Sequence, residues 1–409
     1  MNISVVFFSD FHGTAYKAPR LTAVFTHLHN ASDTTRGYGV RTRSENHGVM
    51  KSDAIAVRTF RLPTVLHRIF SAVGYPFGRS NIGRLVANSW LAQSALLFGA
   101  LRDCDILITQ PQLSQLIRKA QKRKITVVVE HDLDCPAAHL SAMRYRYQQL
   151  DIPRRHWQSW NSSLYVKQIE AGLRNATAII VFSQYARQTL VSCHFPADRI
   201  KVHLPPPRNG CFVASNVDSR PTFVWVGNHG IRKGIDILLE AWREHQKEHR
   251  PGILHLFGEE SPADSSYRVE LRSETNVVDH GSSDLLAFLS SQRSIVVLPT
   301  VSEGFPRSVT EAMACGGSAI LPTGIAAGVI ENGANGWTCE PTPAGVAEAL
   351  RTASNEWNRI HTFGDRAAER INALTHQYPS KVLRELLAAA RLAEGSTLPS
   401  SGPQEERRR

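Results

Sequence analysis

The chain has 409 residues, of which 42% are hydrophobic and 20% are charged. These proportions exclude a chain that is disordered throughout, and the length predicts two domains. The 47 Lys and Arg residues exceed the 36 Asp and Glu residues, which gives a formal net charge of +11. Such an excess favours an anionic partner (a nucleotide, a lipid headgroup or a nucleic acid), although a basic surface without a partner gives the same count.

Short apolar runs alternate along the chain with segments of helical spacing. Runs typical of buried strands lie at 3–8, 105–109, 125–129, 178–182, 222–227, 253–258, 294–299 and 318–321. Helical spacing is found at 85–101, 236–245, 284–291, 309–314 and 381–395. Strands that are buried on both faces and separated by helices are typical of parallel sheets. We therefore predict an α/β fold of two doubly wound domains whose strands end at a shared cleft.

The segment HLPPPRNG at 203–210 marks a linker, because three consecutive prolines cannot continue a helix or a central strand. Residues 30–80 mix Gly, Arg, Ser and His, and they predict an irregular loop with one amphipathic piece at 64–73. The tail has the composition of a disordered segment. The predicted units are an N-terminal domain at 1–205, a C-terminal domain at 206–380, a helix at 381–395 and a disordered basic tail at 396–409.

The six cysteines stand singly, without a CxxC pair or the spacing of metal ligands. This pattern predicts buried thiols in a reducing compartment and no metal site. The apolar run at 3–8 is too short for a secretory signal. The uncharged run at 85–101 contains Asn, Ser and Gln, and it predicts a packed helix rather than a membrane span. We therefore expect a cytoplasmic protein.

The segment SEGFPRSVTEAMACG at 302–316 places one acid in a loop and a second acid in a helix. Pro306 suits the first turn of that helix, where a missing N–H costs nothing. The helix start forms an anion site, to which Arg307 adds bidentate donors for phosphate. Glu311, on an otherwise apolar helix, suits hydroxyl donors such as a ribose diol. The spacing alone is equally consistent with Glu303 as a solvated loop acid and Glu311 on the polar face of its helix.

This segment, followed by SAILPTGIAAGVIENGANGWTCEP and preceded by VWVGNHGIRKGIDILLEA and LFGEE, resembles the signature of retaining glycosyltransferases of family 4. The resemblance extends over roughly residues 175–350. It implies a GT-B fold, in which two Rossmann-like domains face a cleft and the second holds a nucleotide-sugar. It also implies metal-independent transfer of a hexosyl group, with retention, to a glycan or lipid-linked acceptor, as in bacterial cell-surface polysaccharide synthesis. No cofactor is implied, since the nucleotide-sugar is a substrate.

The resemblance assigns roles to five residues of this sequence. Glu303 matches the first glutamate of the motif, beside the donor sugar, and Glu311 matches the second, which holds the ribose hydroxyls. Lys233 matches a lysine set against the donor diphosphate, with Arg232 beside it. His131 ends a predicted strand and matches a histidine that lies near the reacting sugar. A single histidine at a strand end is otherwise more often structural.

The other donor-binding residues implied by the resemblance are backbone positions in three loops: Gly304, Phe305, Pro306 and Arg307, then Gly227 and Asn228, and finally Gly13 in SDFHGTAYK. Asn228 departs from the family, many of whose members have Arg there. Either Arg232 replaces that charge, or the chain is a nucleotide-sugar-binding protein with weakened or lost activity. A GT-B epimerase or phosphorylase is a further alternative. Ser183 predicts a helix N-cap.

The stretch FRLPTVLHRIFSAVGYPFGR at 60–79 interleaves basic and apolar residues. At helical spacing its apolar residues form one stripe, which either packs on the sheet or lies on an anionic membrane surface. The second reading predicts a location at the inner face of a membrane. No nucleic-acid-binding signature accompanies the positive charge, so we predict no nucleic-acid partner.

Overall fold

The computed structural model describes residues 2–6, 34–40, 56–60, 65, 81–153, 156, 163–208, 210–228, 230–247, 252–261 and 263–376. Three sequence predictions lie outside these residues. They are Gly13, all but one residue of the amphipathic piece at 64–73, and the C-terminal helix with its tail after residue 380.

The N-terminal part of the chain forms one parallel sheet. Its strands are β1 (Asn2–Val6), β2 (Thr34–Val40), β3 (Ala56–Phe60), β4 (Ile106–Thr109), β5 (Thr126–His131), β6 (Ala178–Val181) and β7 (Ile200–Val202). They are arranged in the order β3-β2-β1-β4-β5-β6-β7. Its helices are α1 (Asn81–Leu97), α2 (Ser114–Lys122), α3 (Pro136–Gln149), α4 (Ser163–Arg174) and α5 (Gln184–Ser192), with a 3₁₀ turn at Ala197–Arg199.

The C-terminal part forms a second parallel sheet. Its strands are β8 (Thr222–Val226), β9 (Ile253–Phe257), β10 (Val277–Asp279), β11 (Ile295–Val297), β12 (Ser318–Pro322) and β13 (Trp337–Cys339). They are arranged in the order β10-β9-β8-β11-β12-β13. Its helices are α6 (Ile235–Lys247), α7 (Ser265–Ser273), α8 (Leu285–Ser291), α9 (Arg307–Ala314), α10 (Thr323–Ala326), α11 (Pro343–Asn355) and α12 (Ile360–Thr375), with a 3₁₀ turn at Trp357–Arg359.

Both sheets reverse their strand order next to the first strand of the domain. In the second sheet, β8 lies between β9 and β11, so the loops after β8 and β11 diverge and leave a crevice at their carboxyl ends. Doubly wound sheets bind ligands at such switch points. The predicted loops GNHGIRKG and SEGFPR follow these two strands, and the fold therefore places them on either side of the crevice.

The predicted α/β architecture and each apolar run predicted as a strand are confirmed, but the prediction for residues 30–80 is wrong. Strands β2 and β3 occupy part of this segment. Their sequences, TTRGYGV and AVRTF, contain Arg and Gly instead of a continuous apolar run. They form one edge of the sheet, where β2 pairs in parallel with β1 along the whole length of β1. Pairing of β2 with the apolar β1, and of β3 with β2, compensates for their weak strand preference.

The two domains contact each other through buried polar groups. Arg146 of α3 forms a salt bridge with Asp236 of α6, whose side chain is 4% exposed. Burial raises the pKa of Asp236, and the charge of Arg146 opposes that rise. Such a pair costs desolvation when the domains are together and leaves a buried charge unpaired if either partner is lost. This pair therefore joins the two domains in this structure.

The prediction of six free thiols is wrong for two of them. Cys135 precedes α3 and Cys193 follows α5, and the fold brings their sulfurs together in a disulfide across 58 residues of sequence. Single cysteines this far apart give no sequence signal of pairing, because only the packing of the two helices brings them close.

Among the described residues, no helix is both long enough and apolar enough to cross a membrane.

Candidate active site

A cavity of about 550 Å³ lies at the carboxyl ends of the strands, between the two domains. Both predicted loops of the second domain contribute to its wall, together with the loop after β5 of the first domain. The lining residues are Arg84, Asp132, Leu133, Arg208, Val226, Gly227, Asn228, Arg232, Lys233, Leu285, Glu303, Pro306, Arg307, Ser308 and Glu311.

Glu303 accepts hydrogen bonds from both neighbouring cations of the other loop. The guanidinium of Arg232 donates to its Oε2 at 2.7 Å, and Lys233 Nζ donates to the same oxygen. All three side chains are largely buried, since Glu303 is 8% exposed and the cations are 13% and 12% exposed. The structure thus brings together the predicted sugar-side acid and the predicted diphosphate-side cations.

Opposing effects set the protonation of this cluster. Burial alone would raise the pKa of Glu303, but the charges of Arg232 and Lys233 outweigh it and lower the pKa to about 2. Burial lowers the pKa of Lys233, and the charge of Glu303 opposes that effect. Glu303 is therefore a carboxylate at neutral pH and has no proton to donate.

The loop between β8 and α6 is fixed by hydrogen bonds to its neighbours. Asp264 Oδ2 accepts from the backbone N–H of Gly230 at 2.7 Å. The carbonyl of Arg232 accepts from the Thr300 hydroxyl at 2.9 Å and from the Val301 N–H at 3.0 Å. These bonds join the loop to the segment that leads to Glu303, so the positions of Arg232 and Lys233 are fixed relative to Glu303.

Asn228 follows Gly227 at the end of β8 and lines the cavity. Its side-chain oxygen accepts from the backbone N–H of Glu259 at 2.9 Å, and the N–H of Gly227 donates to the Phe257 carbonyl at 3.0 Å. The side chain of Asn228 therefore joins the loop after β8 to the loop after β9. Arg232 and Lys233 are the two cations of this loop that contact Glu303.

Glu311 lies on α9, one turn beyond the helix start, and its side chain is 4% exposed. Arg208 binds it in a bidentate manner, with Nε and Nη2 donating at 2.8 and 3.1 Å. Arg307 Nη2 lies 3.5 Å from Glu311 Oε1. Burial would lower the pKa of Arg208, but its bonds to Glu311 raise it. Each carboxylate oxygen has a second lone pair, so Glu311 can still accept from a ligand hydroxyl.

Helix α9 begins at Arg307, so Pro306 occupies the N-cap position rather than the first turn. Pro306, Arg307 and Ser308 nevertheless line the cavity. Gly304 and Phe305 do not belong to that wall: Phe305 is buried in the core, and Gly304 lies against the other domain. A Cβ atom on Gly304 would lie 2.2 Å from the carbonyl oxygen of Asp132. Only glycine permits this approach.

His131 ends β5 and is 1% exposed. Its Nε2 lies 2.8 Å from the carbonyl oxygen of Asp134, which can only accept, so Nε2 carries a proton. Burial lowers the pKa of His131, and the hydrogen bond to Asp134 opposes that effect. The imidazole is therefore neutral at neutral pH. Asp132 and Leu133, which follow it, are the residues of this loop that line the cavity.

Seven of the fifteen lining residues were not among the predicted site residues, and two of these seven, Arg84 and Arg208, are cationic. Arg84 lies on α1, in a part of the chain without a motif, and Arg208 lies in the proline-rich linker. Only the proline run of the linker was noticeable, and it indicates a change of chain direction rather than a binding residue. Ser183 is the N-cap of α5, as predicted, and its oxygen accepts from the Ala186 N–H at 3.0 Å.

The cavity wall combines five cationic side chains with three carboxylates, which leaves a net charge of +2 when all are ionised. The charges are also separated along the cavity, since Arg232 and Lys233 lie at Glu303 whereas Arg208 and Arg307 lie at Glu311. Such a cavity is suited to an anion that carries hydroxyl groups. Within the described residues, no group of three or more His, Cys, Asp or Glu side chains could hold a metal ion.

Residues 212–370 match the family model described as glycosyl transferases group 1. This match lies within the second domain. It includes Lys233, Glu303 and Glu311, but it excludes Arg208 and the whole first domain. No curated protein matches the sequence significantly.

Solved structures with the same two-domain arrangement are similar over nearly the whole chain. A sucrose-phosphate synthase from Thermosynechococcus elongatus is 17% identical with a TM-score of 0.64, over 95% of this chain and 99% of that one. HepE from Anabaena, in complex with UDP, is 16% identical with a TM-score of 0.62, over 95% and 100% of the two chains. TarM, known from S. aureus, is 11% identical with a TM-score of 0.67, over 95% and 99%. The chain therefore has the GT-B fold, as the resemblance implied.

Proposed function

We propose that the protein is a glycosyltransferase that transfers a hexosyl group from a nucleotide-sugar to a glycan or lipid-linked acceptor, with retention and without a metal ion. The observation that carries the proposal is the buried carboxylate of Glu303 between Arg232 and Lys233, on the wall of a cavity that Glu311 also lines. The family match over the same domain supports it.

The charge distribution suggests how the donor would bind. The diphosphate would lie against Lys233 and Arg232, whose charges exceed that of Glu303 by one, and against the start of α9. The ribose would lie beside Glu311, a buried carboxylate with remaining acceptor capacity. This orientation places the sugar near Glu303. The HepE structures contain UDP, UDP with glucose, or UDP-glucose, so UDP-sugars are the first donors to test.

In the proposed reaction, the bond between the sugar carbon and the diphosphate oxygen breaks while the acceptor oxygen bonds to the same carbon. Lys233 and Arg232 stabilise the charge that develops on the departing diphosphate. Glu303 stays ionised and stabilises positive charge on the sugar ring. The acceptor proton passes to the departing phosphate oxygen, because the lowered pKa of Glu303, about 2, makes its carboxylate too weak a base to remove it. His131 does not line the cavity, so its neutral imidazole would act indirectly, by fixing through the Asp134 carbonyl the loop that carries Asp132 and Leu133.

A second candidate is a protein that binds nucleotide-sugars without turning them over. The observation that favours it is Asn228, which joins two loops where the family commonly has a cation. Without that cation, the leaving diphosphate depends on Lys233 and Arg232, both of which are already paired with Glu303. This candidate predicts the same ligands and the same binding residues, but no product.

A donor screen distinguishes the two candidates. Purified protein is mixed with UDP-, GDP- and other activated sugars, with and without chelator, and both the thermal stabilisation and the release of nucleoside diphosphate are measured. Thermal stabilisation together with release of nucleoside diphosphate supports the glycosyltransferase. Stabilisation without such release, whether or not a glycan or lipid-linked acceptor is added, supports the binding protein. If no nucleotide or nucleotide-sugar stabilises the protein, both proposals are wrong.

A further part of the proposal is contact with an anionic membrane surface from the cytoplasmic side, where lipid-linked acceptors of cell-surface polysaccharides would be met. At the end of α1, Leu97 and Phe98 are 84% and 50% exposed. Exposed basic residues of the neighbouring helix α2 and its C-cap lie close by, since Arg123 donates to the Leu101 carbonyl at 3.2 Å. Co-sedimentation with anionic vesicles, lost at high salt and absent with neutral vesicles, is expected. Equal recovery in the supernatant with both would refute it.

A further inference from the structure

The loop that leads to Glu303 is held from the opposite domain. Ser302, the residue before Glu303, is fully buried, and its hydroxyl donates to Asp134 Oδ2 at 2.8 Å. His139 Nδ1 lies 2.5 Å from the same hydroxyl oxygen and 3.4 Å from Asp134 Oδ1. Asp134 and His139 belong to the first domain, and both are almost completely buried.

The hydroxyl proton determines the direction of these bonds. Ser302 has one proton, and the carboxylate of Asp134 can only accept it. The short contact with His139 must therefore be a hydrogen bond from Nδ1–H to the Ser302 oxygen. The hydroxyl thus donates once and accepts once across the cleft, and both bonds exist only while the domains are closed.

Two backbone contacts hold the other side of Glu303. The Ser183 hydroxyl donates to the carbonyl of Gly304, and the α-carbon of Gly304 packs against the carbonyl of Asp132. Both Ser183 and Asp132 belong to the first domain. The residues immediately before and after Glu303 are therefore fixed by the first domain, while its carboxylate is bound by cations of the second.

The loop that provides these contacts is itself rigid. His131 donates to the Asp134 carbonyl at 2.8 Å, and the Cys135 N–H donates to the Thr189 hydroxyl at 3.0 Å. The disulfide from Cys135 to Cys193 attaches the same point to the end of α5. Hydrogen bonds and a covalent bond that fix the surrounding backbone in this way can hold a side chain such as that of Glu303 within a fraction of an ångström of its working position.

We propose that Asp134 and His139 are positioning residues that, through Ser302, hold Glu303 in its working position when the two domains close. This inference rests on the proposed function. Neither residue lines the cavity, so neither contacts the donor; they act on the reaction only through the Ser302–Glu303 backbone. Closure then completes the site, because the second domain alone provides the cations but not this support.

Removal of the bridging hydroxyl is the direct test. We expect Ser302→Ala and Asp134→Ala to lower kcat by about 10- to 100-fold, as for a misplacement of about 1 Å. The affinity for nucleoside diphosphate should change by less than about twofold, because Lys233, Arg232 and Glu311 remain. The matched control is Ser318→Ala, which removes another buried hydroxyl of the second domain, one that donates to the Asn335 carbonyl at 2.8 Å. This control should keep full kcat.

A conservative variant separates positioning from a general loss of stability. Asp134→Asn keeps an oxygen that accepts from Ser302, so its kcat should be several-fold higher than that of Asp134→Ala. Equal kcat values for the two variants, or unchanged kcat in Ser302→Ala, would overturn the inference. If wild type releases product and Ser302→Ala and Asp134→Ala release it with the kcat of wild type, the inference is wrong while the proposed function stands.

A measurement independent of turnover covers the case in which wild type is inactive. Hydrogen–deuterium exchange of the backbone amides at 300–305 should be faster in Ser302→Ala and Asp134→Ala than in wild type, and unchanged in Ser318→Ala. Unchanged exchange in all variants would refute the positioning role, whether or not the protein is an enzyme. An inactive wild type with faster exchange in the first two variants would refute only the proposed function.

Discussion

Substitution of Glu303 by Gln tests the electrostatics of the candidate active site. The change keeps the size of the side chain and removes the negative charge from between two buried cations. The structure lowers the pKa of Glu303 from its ordinary value of 4.5 to about 2. At about 1.4 kcal/mol per pH unit, this corresponds to about 3 kcal/mol of folding free energy at neutral pH. Because the side chain is only 8% exposed, solvent screening reduces this figure little.

The sign of the pH dependence follows from the lowered pKa. The unfolded chain binds a proton at this position below pH 4.5, whereas the folded chain does so only near pH 2. The stabilisation by Glu303 is therefore complete above pH 4.5 and is lost as the pH falls towards 2. Glu303→Gln lacks this contribution, so the difference in unfolding free energy between wild type and variant should be large at pH 7 and smaller at pH 3.

Urea denaturation at pH 7 and pH 3 measures both differences, with circular dichroism as the probe. The control is Glu244→Gln, which removes a surface partner of Lys247 that is 57% exposed and should change stability little at either pH. In a donor assay, Glu303→Gln should lower product release by at least about 100-fold. It should not weaken nucleoside diphosphate binding, since it leaves two cations unpaired. A stability difference that is the same at both pH values would refute the electrostatic reasoning, and near-normal turnover of the folded variant would reject the catalytic role.

Lys233→Ala should weaken the binding of nucleoside diphosphate by about tenfold or more but leave the binding of the free nucleoside unchanged, as measured by isothermal titration calorimetry. An equal loss of affinity for both ligands would show that Lys233 does not contact the diphosphate. Glu311→Ala should abolish the preference for ribose over 2′-deoxyribose nucleotides, and a preserved preference in competition binding would reject its ribose role. Cys193→Ser should lower the free energy of unfolding by about 3 kcal/mol when the wild type is oxidised. The two proteins should unfold alike once the wild type is reduced, and a difference that persists with reductant would show that packing, rather than the bond, is responsible.

Four strands and three helices of the second domain were predictable because they have strong local signals, whereas the short strands β10 and β13 and the helices α7, α10, α11 and α12 were not predicted. β8, β11 and β12 are largely buried runs bounded by Gly or Pro, β9 is a mostly apolar run between two glycines, and α9 follows a proline. The edge strands β2 and β3 were not predictable, since Arg and Gly within them carry no strand preference. Their pairing depends on the apolar β1, which is remote in sequence.

The candidate site shows the same division. Glu303, Lys233 and Glu311 belong to linked motifs, so the sequence indicated them and the structure places them on one cavity. Arg208 had no such context, because its role depends on the path of the chain after three prolines. The disulfide and the contacts of Asp134 and His139 with Ser302 were also beyond reach. They join residues 58 or more positions apart, whose proximity arises from packing between helices and between domains.

The pairing of Arg208 with Glu311 also determines where this protein can be divided. The family match starts at residue 212, which is a natural place to begin an isolated second domain. A fragment cut there would retain a carboxylate that is 4% exposed in the intact chain and would lack the guanidinium that binds both of its oxygens. Exchange of domains between relatives at that point would mismatch this pair in the same way. A cut before the proline run at 205–207 keeps Arg208 in the same fragment as Glu311, whose carboxylate it binds.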